Sequence, residues 1–350
     1  MSTTAAIVTT LKRPGPSLVS FLKYHVAIGF SRFFLFFDDP SDPYINVARR
    51  FKQTRIIKTN ARLRRAWQQT KTAQTNPWFF QYVEKELKVR QTLNVELAID
   101  LARGENIDWL IHIDCDELFY PFNGDALSHF TSAAKRRRNN LVYANYEGIP
   151  ESSDIVDYFK KVTLFKKNFA LFHHRLTASQ QQLIKRVPQL PPHLFLFYAN
   201  GKSAARISPG LEPDGGHRFK YRNDDRNGSE NRRQDMPVLC QDAIVLHYPC
   251  CGFTNFWRKY KMLGAFANLW FDTVDIVDAI GTFHLKSRDI VASGSKNDAR
   301  KFYEANAVIG EGAVIQLLID KEICCRIQPP SMFLKRKISE PLEGMIVSAA

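Results

Sequence analysis

The stretch Trp109-Leu110-Ile111-His112-Ile113-Asp114-Cys115-Asp116-Glu117 decides how the rest of the chain is read. A largely apolar run that stops abruptly in carboxylates has the pattern of a strand buried on both faces, ending at the rim of a parallel sheet. In open α/β sheets ligands bind outside the carboxyl ends of the strands, which is where Asp114 and Asp116 fall. Two carboxylates at i and i+2 can reach one hard divalent cation, Mn²⁺ or Mg²⁺, while that cation bridges the phosphates of a nucleotide. Such an ion would neutralise charge developing on a leaving nucleoside diphosphate. An arbitrary Asp-x-Asp more often caps a turn. The surroundings of this one argue for more.

Upstream, Ala5-Ala6-Ile7-Val8 reads as a strand, followed by a turn at Pro14 and Pro16. Leu18, Phe21, Leu22, His25 and Val26 then recur at helical spacing, with Gly29 as the stop. Phe33-Phe34-Leu35-Phe36-Phe37 is a second buried strand, and it too ends in carboxylates, Asp38-Asp39 before Pro40. That triplet reads equally as a turn. A strand is expected at Thr54 to Lys58 and a long helix from about Tyr82 to Arg103, stopped by Gly104. Strands alternating with helices argue for an open α/β sheet.

Downstream, Leu141 to Tyr146, Lys161 to Phe165, Leu194 to Tyr198 and Ala243 to Tyr248 look extended. Glu212 to Gln234, dense in Gly, Asn, Asp and Arg, reads as a loop, and Asn297 to Glu322 as largely helical. The expected architecture is α/β: a mostly parallel, Rossmann-like sheet with flanking helices over residues 1–270, and a mainly helical extension and tail over 271–350.

The bulk numbers admit this. The chain has 350 residues, 45% hydrophobic and 24% charged, a globular composition with enough length for a full core. Its 49 basic and 35 acidic residues give +14, which favours anionic partners. Nucleic acid is not among those expected, because no finger spacing, RNP-type aromatic motif or heptad-linked basic region accompanies the charge. The six cysteines do not have the spacing of a disulfide framework and read as free thiols. His247 with Cys250 and Cys251 comes nearest to a zinc constellation but lacks a second cluster, so structural zinc is not expected. No window reaches the ~18 uninterrupted apolar residues of a membrane helix.

Taken with its neighbours, Trp109 to Phe119 resembles the metal-site signature of GT-A-fold glycosyltransferases, and within them glycosyltransferase family 92 and its family-2-like relatives. Supporting stretches are Phe21 to Gly29, Ile149-Pro150-Glu151, and Val245-Leu246-His247-Tyr248-Pro249 before Phe256-Trp257-Arg258-Lys259-Tyr260, so the likeness covers about residues 5–270. The resemblance implies transfer of a sugar from a nucleoside-diphosphate sugar, with UDP as the expected nucleotide, to a glycan or other hydroxyl acceptor. It implies that Asp114, Asp116 and His247 hold Mn²⁺ or Mg²⁺, with His217, and more weakly His173 or His174, as alternatives to His247. Thr9, Thr10 and Lys12 would line the nucleoside pocket, Asp38 or Asp39 would approach base or ribose, and Arg90, with Asn94 a turn on, would reach donor phosphate or sugar.

Inversion at the anomeric carbon is implied too, and it calls for a carboxylate base. Glu151 is the first candidate, Glu147 the second and Asp154 the third. Two other readings compete: nucleotidyl transfer with release of pyrophosphate, and a carbohydrate- or polyanion-binding protein of the same fold without turnover. As written the chain reads as cytoplasmic, whereas family 92 implies a Golgi or other secretory membrane through an N-terminal anchor.

Overall fold

The computed structural model describes residues 3–222 and 233–328. Strands β1 (Ala5–Leu11), β2 (Arg32–Phe37), β3 (Thr54–Lys58) and β4 (Trp109–His112) run parallel in the order β3-β2-β1-β4. Helices Ser17–Ala27 and Leu87–Gly104 are among the connections. The chain therefore lays β2 and β3 on one side of β1, then crosses to the other side for β4. That reversal opens a crevice at the carboxyl ends of β1 and β4.

Each of these strands feeds two cores. From β1, Ala5, Ile7 and Leu11 face one helical layer, while Ala6 and Val8 face the other; Phe33, Leu35 and Phe37 of β2 alternate in the same way with Phe34 and Phe36. Burial on both faces is why these strands read as unbroken apolar runs rather than as alternating ones. The helix Leu87–Gly104 closes one face with Val89, Leu93, Ala98 and Ile99, and helices Ser17–Ala27 and Ala126–Lys135 close the other.

Beyond β4 come β5 (Glu117–Pro121), β6 (Asn140–Tyr143), β7 (Asn145–Ile149), β8 (Leu164–Lys166), β9 (Lys202–Arg206), β10 (Leu211–Asp214) and β11 (Arg218–Tyr221). They are followed by β12 (Val238–Leu239), β13 (Ala243–His247), β14 (Leu269–Trp270), β15 (Val274–Asp275) and β16 (Cys324–Arg326). The main sheet has the order β12-β6-β9-β4-β1-β2-β3, with β9 alone antiparallel to its neighbours. The fold is thus mixed α/β with a central, mostly parallel sheet and flanking helices. A second sheet, β16-β8-β7-β13-β5, stands against the first, and β10-β11 and β14-β15 form separate pairs.

Several expected elements shift. The strand expected over Leu141–Tyr146 is two strands, β6 and β7, with Ala144 between them, one in each sheet. Leu194–Tyr198 forms no strand: the Leu196 and Phe197 amides donate to the Glu147 carboxylate, at 2.8 and 3.1 Å, instead of to a neighbouring strand. The loop expected over Glu212–Gln234 contains the β10-β11 hairpin, turned by Gly215 and Gly216, and its residues 223–232 lie outside the described part. The boundary expected at residue 270 falls within the β14-β15 hairpin.

Helices Phe283–Ala292 and Lys296–Ala307 then pack through Phe283, Val291 and Tyr303 on the helix Phe253–Leu263, and β16 joins the second sheet beside β8. Among the described residues, Lys296–Asp320 is long and apolar enough to cross a membrane by length and composition. It consists of helices Lys296–Ala307 and Gly312–Asp320, and the intervening Ile309 amide donates to the Pro150 carbonyl at 3.1 Å.

Candidate active site

The crevice predicted by the strand order is a cleft of about 1860 Å³. Thr10, Lys12, Asp38 and Arg90 line it, as do Asp114, Asp116, His217 and His247. Most of the residues singled out in the sequence for metal or donor therefore share one cavity. Thr9, Asp39, Asn94, Glu147, Glu151 and Asp154 are not among its lining residues. His173 also lines the cleft.

The two carboxylates leave the same strand end but meet different cations. Asp114 accepts from Lys202 Nζ at 2.7 Å through one oxygen and from Gln91 Nε2 at 2.8 Å through the other. Lys202 also lies 3.3 Å from Glu117, whose carboxylate takes the Asp114 backbone N–H at 2.8 Å and the Tyr198 hydroxyl. Burial works against the charge on Asp114, but the Lys202 ammonium prevails and holds its carboxyl far below the usual range. Glu117, wholly buried, is pushed up by that burial, while Asp114 and Glu117 overcome the desolvation of Lys202 and keep it cationic.

Asp116 is bound by Lys259 Nζ at 3.3 Å; that ammonium also donates to the Pro249 carbonyl at 3.1 Å and lies 4.8 Å from the centre of the Phe197 ring. Lys259 likewise stays charged, its desolvation outweighed by Asp116. Its helix, Phe253–Leu263, starts at Gly252, where φ is +94° and a Cβ would meet the Ile155 carbonyl oxygen at 2.2 Å. Only glycine satisfies both constraints.

His247 ends β13, opposite Glu117 of β5 and beside Glu147 of β7. Its Nδ1 is buried and has no hydrogen-bond partner. Burial lowers its pKa to about 4, with Asp116 the strongest opposing influence, so near neutrality the ring is uncharged and can offer a lone pair. His217, by contrast, has Nδ1 engaged with Asn200 Oδ1 at 2.9 Å and the Gly201 carbonyl at 3.1 Å.

The remaining candidates resolve by their contacts. The Arg90 guanidinium closes on Asp38 at 2.9 to 3.2 Å and donates to the Val83 carbonyl at 2.9 Å, so it orients Asp38. Asn94 is buried, accepts from Trp67 Nε1 at 2.8 Å and donates to Thr10 Oγ1 at 2.9 Å, which makes it a support for Thr10. The Thr9 hydroxyl and His112 Nε2 are buried without partners. Asp39 carries the Ser41 amide at 2.9 Å and lies 3.5 Å from Arg13.

Glu147 is fully buried, paired with Lys166 Nζ at 2.9 Å and saturated by the Leu196 and Phe197 amides. Glu151 is held by both terminal nitrogens of Arg326, at 2.8 and 2.9 Å, and Asp154 lies 3.2 Å from Arg300. Among the described residues, the three His, Cys, Asp or Glu side chains whose ligand atoms all lie within 4.8 Å of one another are His129, Cys240 and Asp242, outside the cleft, and not the cleft trio.

Sequence reading passed over Lys202 and Lys259. The signal for Lys202 was a lone lysine opening the small, buried strand Lys202-Ser203-Ala204-Ala205, where a charge needs a carboxylate partner.

Two Arabidopsis thaliana proteins described as glycosyltransferase-like are each 27% identical to this chain, over 341 and 345 residues. Both alignments cover 93% of it, with 71% of the first relative and 62% of the second. No protein-family model matches the chain. Among solved structures, TarS of S. aureus overlays with a TM-score of 0.31 at 11% identity, over 91% of this chain and 52% of that one. A 4-diphosphocytidyl-2C-methyl-D-erythritol synthase from Anaerococcus prevotii gives a TM-score of 0.24 at 11% identity, over 44% of this chain and 58% of that one. Similarity to glycosyltransferase-like proteins is therefore carried by sequence, along nearly the whole chain.

Proposed function

We propose that this protein is a GT-A-like glycosyltransferase that binds a nucleoside-diphosphate sugar, UDP-linked in the first instance, in the β1–β4 cleft and transfers the sugar to a hydroxyl acceptor. The observation that carries the reading is that Asp114, Asp116 and His247 all line one cleft at the topological switch point. The kinship with glycosyltransferase-like proteins supports it.

The residues suit a divalent ion in one respect and depart from the expected trio in another. Asp116 and the unpartnered Nδ1 of His247 would hold Mn²⁺ or Mg²⁺, whereas both oxygens of Asp114 are already engaged by Lys202 and Gln91. A divalent ion there would supply charge neutralisation to the leaving diphosphate. Lys259, charged and lining the cleft, would add a second fixed cation on the phosphate side. Lys202 and Gln91 hold Asp114 in one rotamer. Thr10, backed by Asn94, and Asp38, backed by Arg90, would set the nucleoside end. Such fixed dipoles and charges lower the barrier because they need no rearrangement as charge develops.

Glu147 and Glu151, expected as the base, are tied into ion pairs outside the cleft, and in this reading neither takes the acceptor proton. Inversion therefore stands on the family likeness.

The deciding experiment is a thermal-shift series of nucleotide sugars with and without Mn²⁺, on the wild type and Asp116→Asn. Stabilisation by one sugar nucleotide that needs both Mn²⁺ and Asp116, with release of nucleoside diphosphate on adding acceptors, is the expected result. Release of pyrophosphate from a nucleoside triphosphate would make it a nucleotidyltransferase, and no consumption of any sugar nucleotide would leave a binding protein.

A further inference from the structure

We infer that His129, Cys240 and Asp242 form a zinc site, separate from the cleft, that fastens the helix Ala126–Lys135 to the short connection between β12, at the edge of the main sheet, and β13 of the second sheet. They come from two parts of the fold, a helix and the connection between two strands. His129 lies on the helix Ala126–Lys135, Cys240 directly follows the edge strand β12, and Asp242 directly precedes β13 of the second sheet. Their ligand atoms lie within 4.8 Å of one another, and His129 Nδ1 is 3.5 Å from Asp242 Oδ2.

Tetrahedral zinc at about 2.1 Å from nitrogen and oxygen sets those two ligands about 3.4 Å apart, and places a thiolate sulfur at ~2.3 Å from the metal about 3.6 Å from either. The imidazole–carboxylate spacing already matches, and the sulfur is near enough to close.

The far side of the imidazole is built as zinc sites require. His129 Nε2 meets the Tyr143 hydroxyl at 3.0 Å, and a hydrogen bond donated there leaves the lone pair on Nδ1, the nitrogen 3.5 Å from Asp242. Outer partners of this kind fix tautomer and ring orientation in metal sites. The ring is held further by edge contacts with Phe119 and Phe130, at 5.6 and 5.4 Å between centres. His129 and Cys240 are buried while the Asp242 side chain is 55% exposed, so an ion could reach the group from solvent.

Charge favours the ion as well. Zinc bound by one neutral imidazole, one thiolate and one carboxylate leaves no net charge, whereas burial and the neighbouring Asp242 carboxylate both work against a bare Cys240 thiolate. Binding releases the Cys240 thiol proton to solvent. A thiolate, an imidazole and a carboxylate together suit zinc better than the hard ions expected in the cleft.

The test uses the full chain carrying Asp116→Asn, so that metal in the cleft does not count, stripped with a chelator and titrated with Zn²⁺ and Co²⁺. One zinc per chain, a raised unfolding temperature, and a thiolate-to-cobalt charge-transfer band are expected. Cys240→Ser should abolish the band, and Asp242→Asn, at a carboxylate 55% exposed, should weaken Zn²⁺ roughly tenfold or more. The assignment is overturned if Co²⁺ gives no thiolate band, if the band survives Cys240→Ser, or if Asp242→Asn binds Zn²⁺ as tightly as its parent.

Discussion

Lys166 and Lys202 are both shut away from water against carboxylates, in the second sheet and the main sheet respectively, yet their surroundings have opposite characters. Lys166 and Glu147 are 3% and 0% exposed, and the Glu147 oxygens also take two backbone amides, so nothing is left over for a ligand. Lys202 is 0% exposed, but of the two carboxylates it serves only Glu117 is sealed, while Asp114 is 28% exposed and lines the cleft. A closed ion pair is spent on structure; a half-open one fixes a carboxylate while leaving part of it exposed to the cleft.

That contrast can be broken most severely at Glu147. Glu147→Ala strands the Lys166 ammonium and two amides, and should cost about 3–5 kcal/mol of stability in urea unfolding, with no specific effect on the cleft. A loss too small to measure would mean that the pair is wetter than its burial indicates. Asp116→Asn should act in the opposite sense: unfolding little changed, and turnover of sugar nucleotide lowered about 10²–10³-fold, the scale of losing one electrostatic contact to the reacting group. Equal turnover in wild type and variant would remove the enzymatic reading.

A smaller effect concerns His25, which ties the helix Ser17–Ala27 to β5. Nδ1 lies 2.9 Å from the Phe21 carbonyl and so carries the proton, while Nε2 accepts the Phe119 amide, leaving the ring neutral. Burial lowers its pKa from 6.5 to about 3. Above the unfolded value both states are neutral and pH has no effect through this group. As pH falls below 6.5 the unfolded chain takes up a proton that the folded one refuses, so stability declines, by about 2 kcal/mol at pH 5, until the folded pKa is reached. His25→Gln should remove that part of the slope in unfolding measured across pH.

The smallest effect is expected at Glu151, whose pairing with Arg326 is half exposed. Glu151→Gln should shift stability by under about 1 kcal/mol and leave turnover unchanged. A collapse in turnover with intact folding would restore Glu151 as the acceptor base.

How much of this could be read in the sequence follows from what sequence patterns record. Phe33–Phe37 and Trp109–Ile113 announced themselves because burial on both faces leaves an unbroken apolar run, and the carboxylates after them marked the cleft. The segment Leu194–Tyr198 misled because apolar composition reports burial, whereas its backbone bonds to a carboxylate that no local pattern reveals. The lysines opposite Asp114 and Asp116, and His129 opposite Cys240 and Asp242, come from distant parts of the chain, and local spacing carries no trace of those encounters.

Ala144 is the lone residue between β6 and β7, so one nearly continuous strand passes from one sheet into the other. Gly201, with φ +71° and no room for a Cβ against the Tyr143 carbonyl, locks the chain beside that junction, and Asn145 Oδ1 takes its amide at 3.1 Å. Such a bridge would oppose a clamshell hinge between the two sheets. Induced fit around a bound molecule would then come from the peripheral helices and hairpins that overhang the floor, and the floor itself would behave as a rigid anvil.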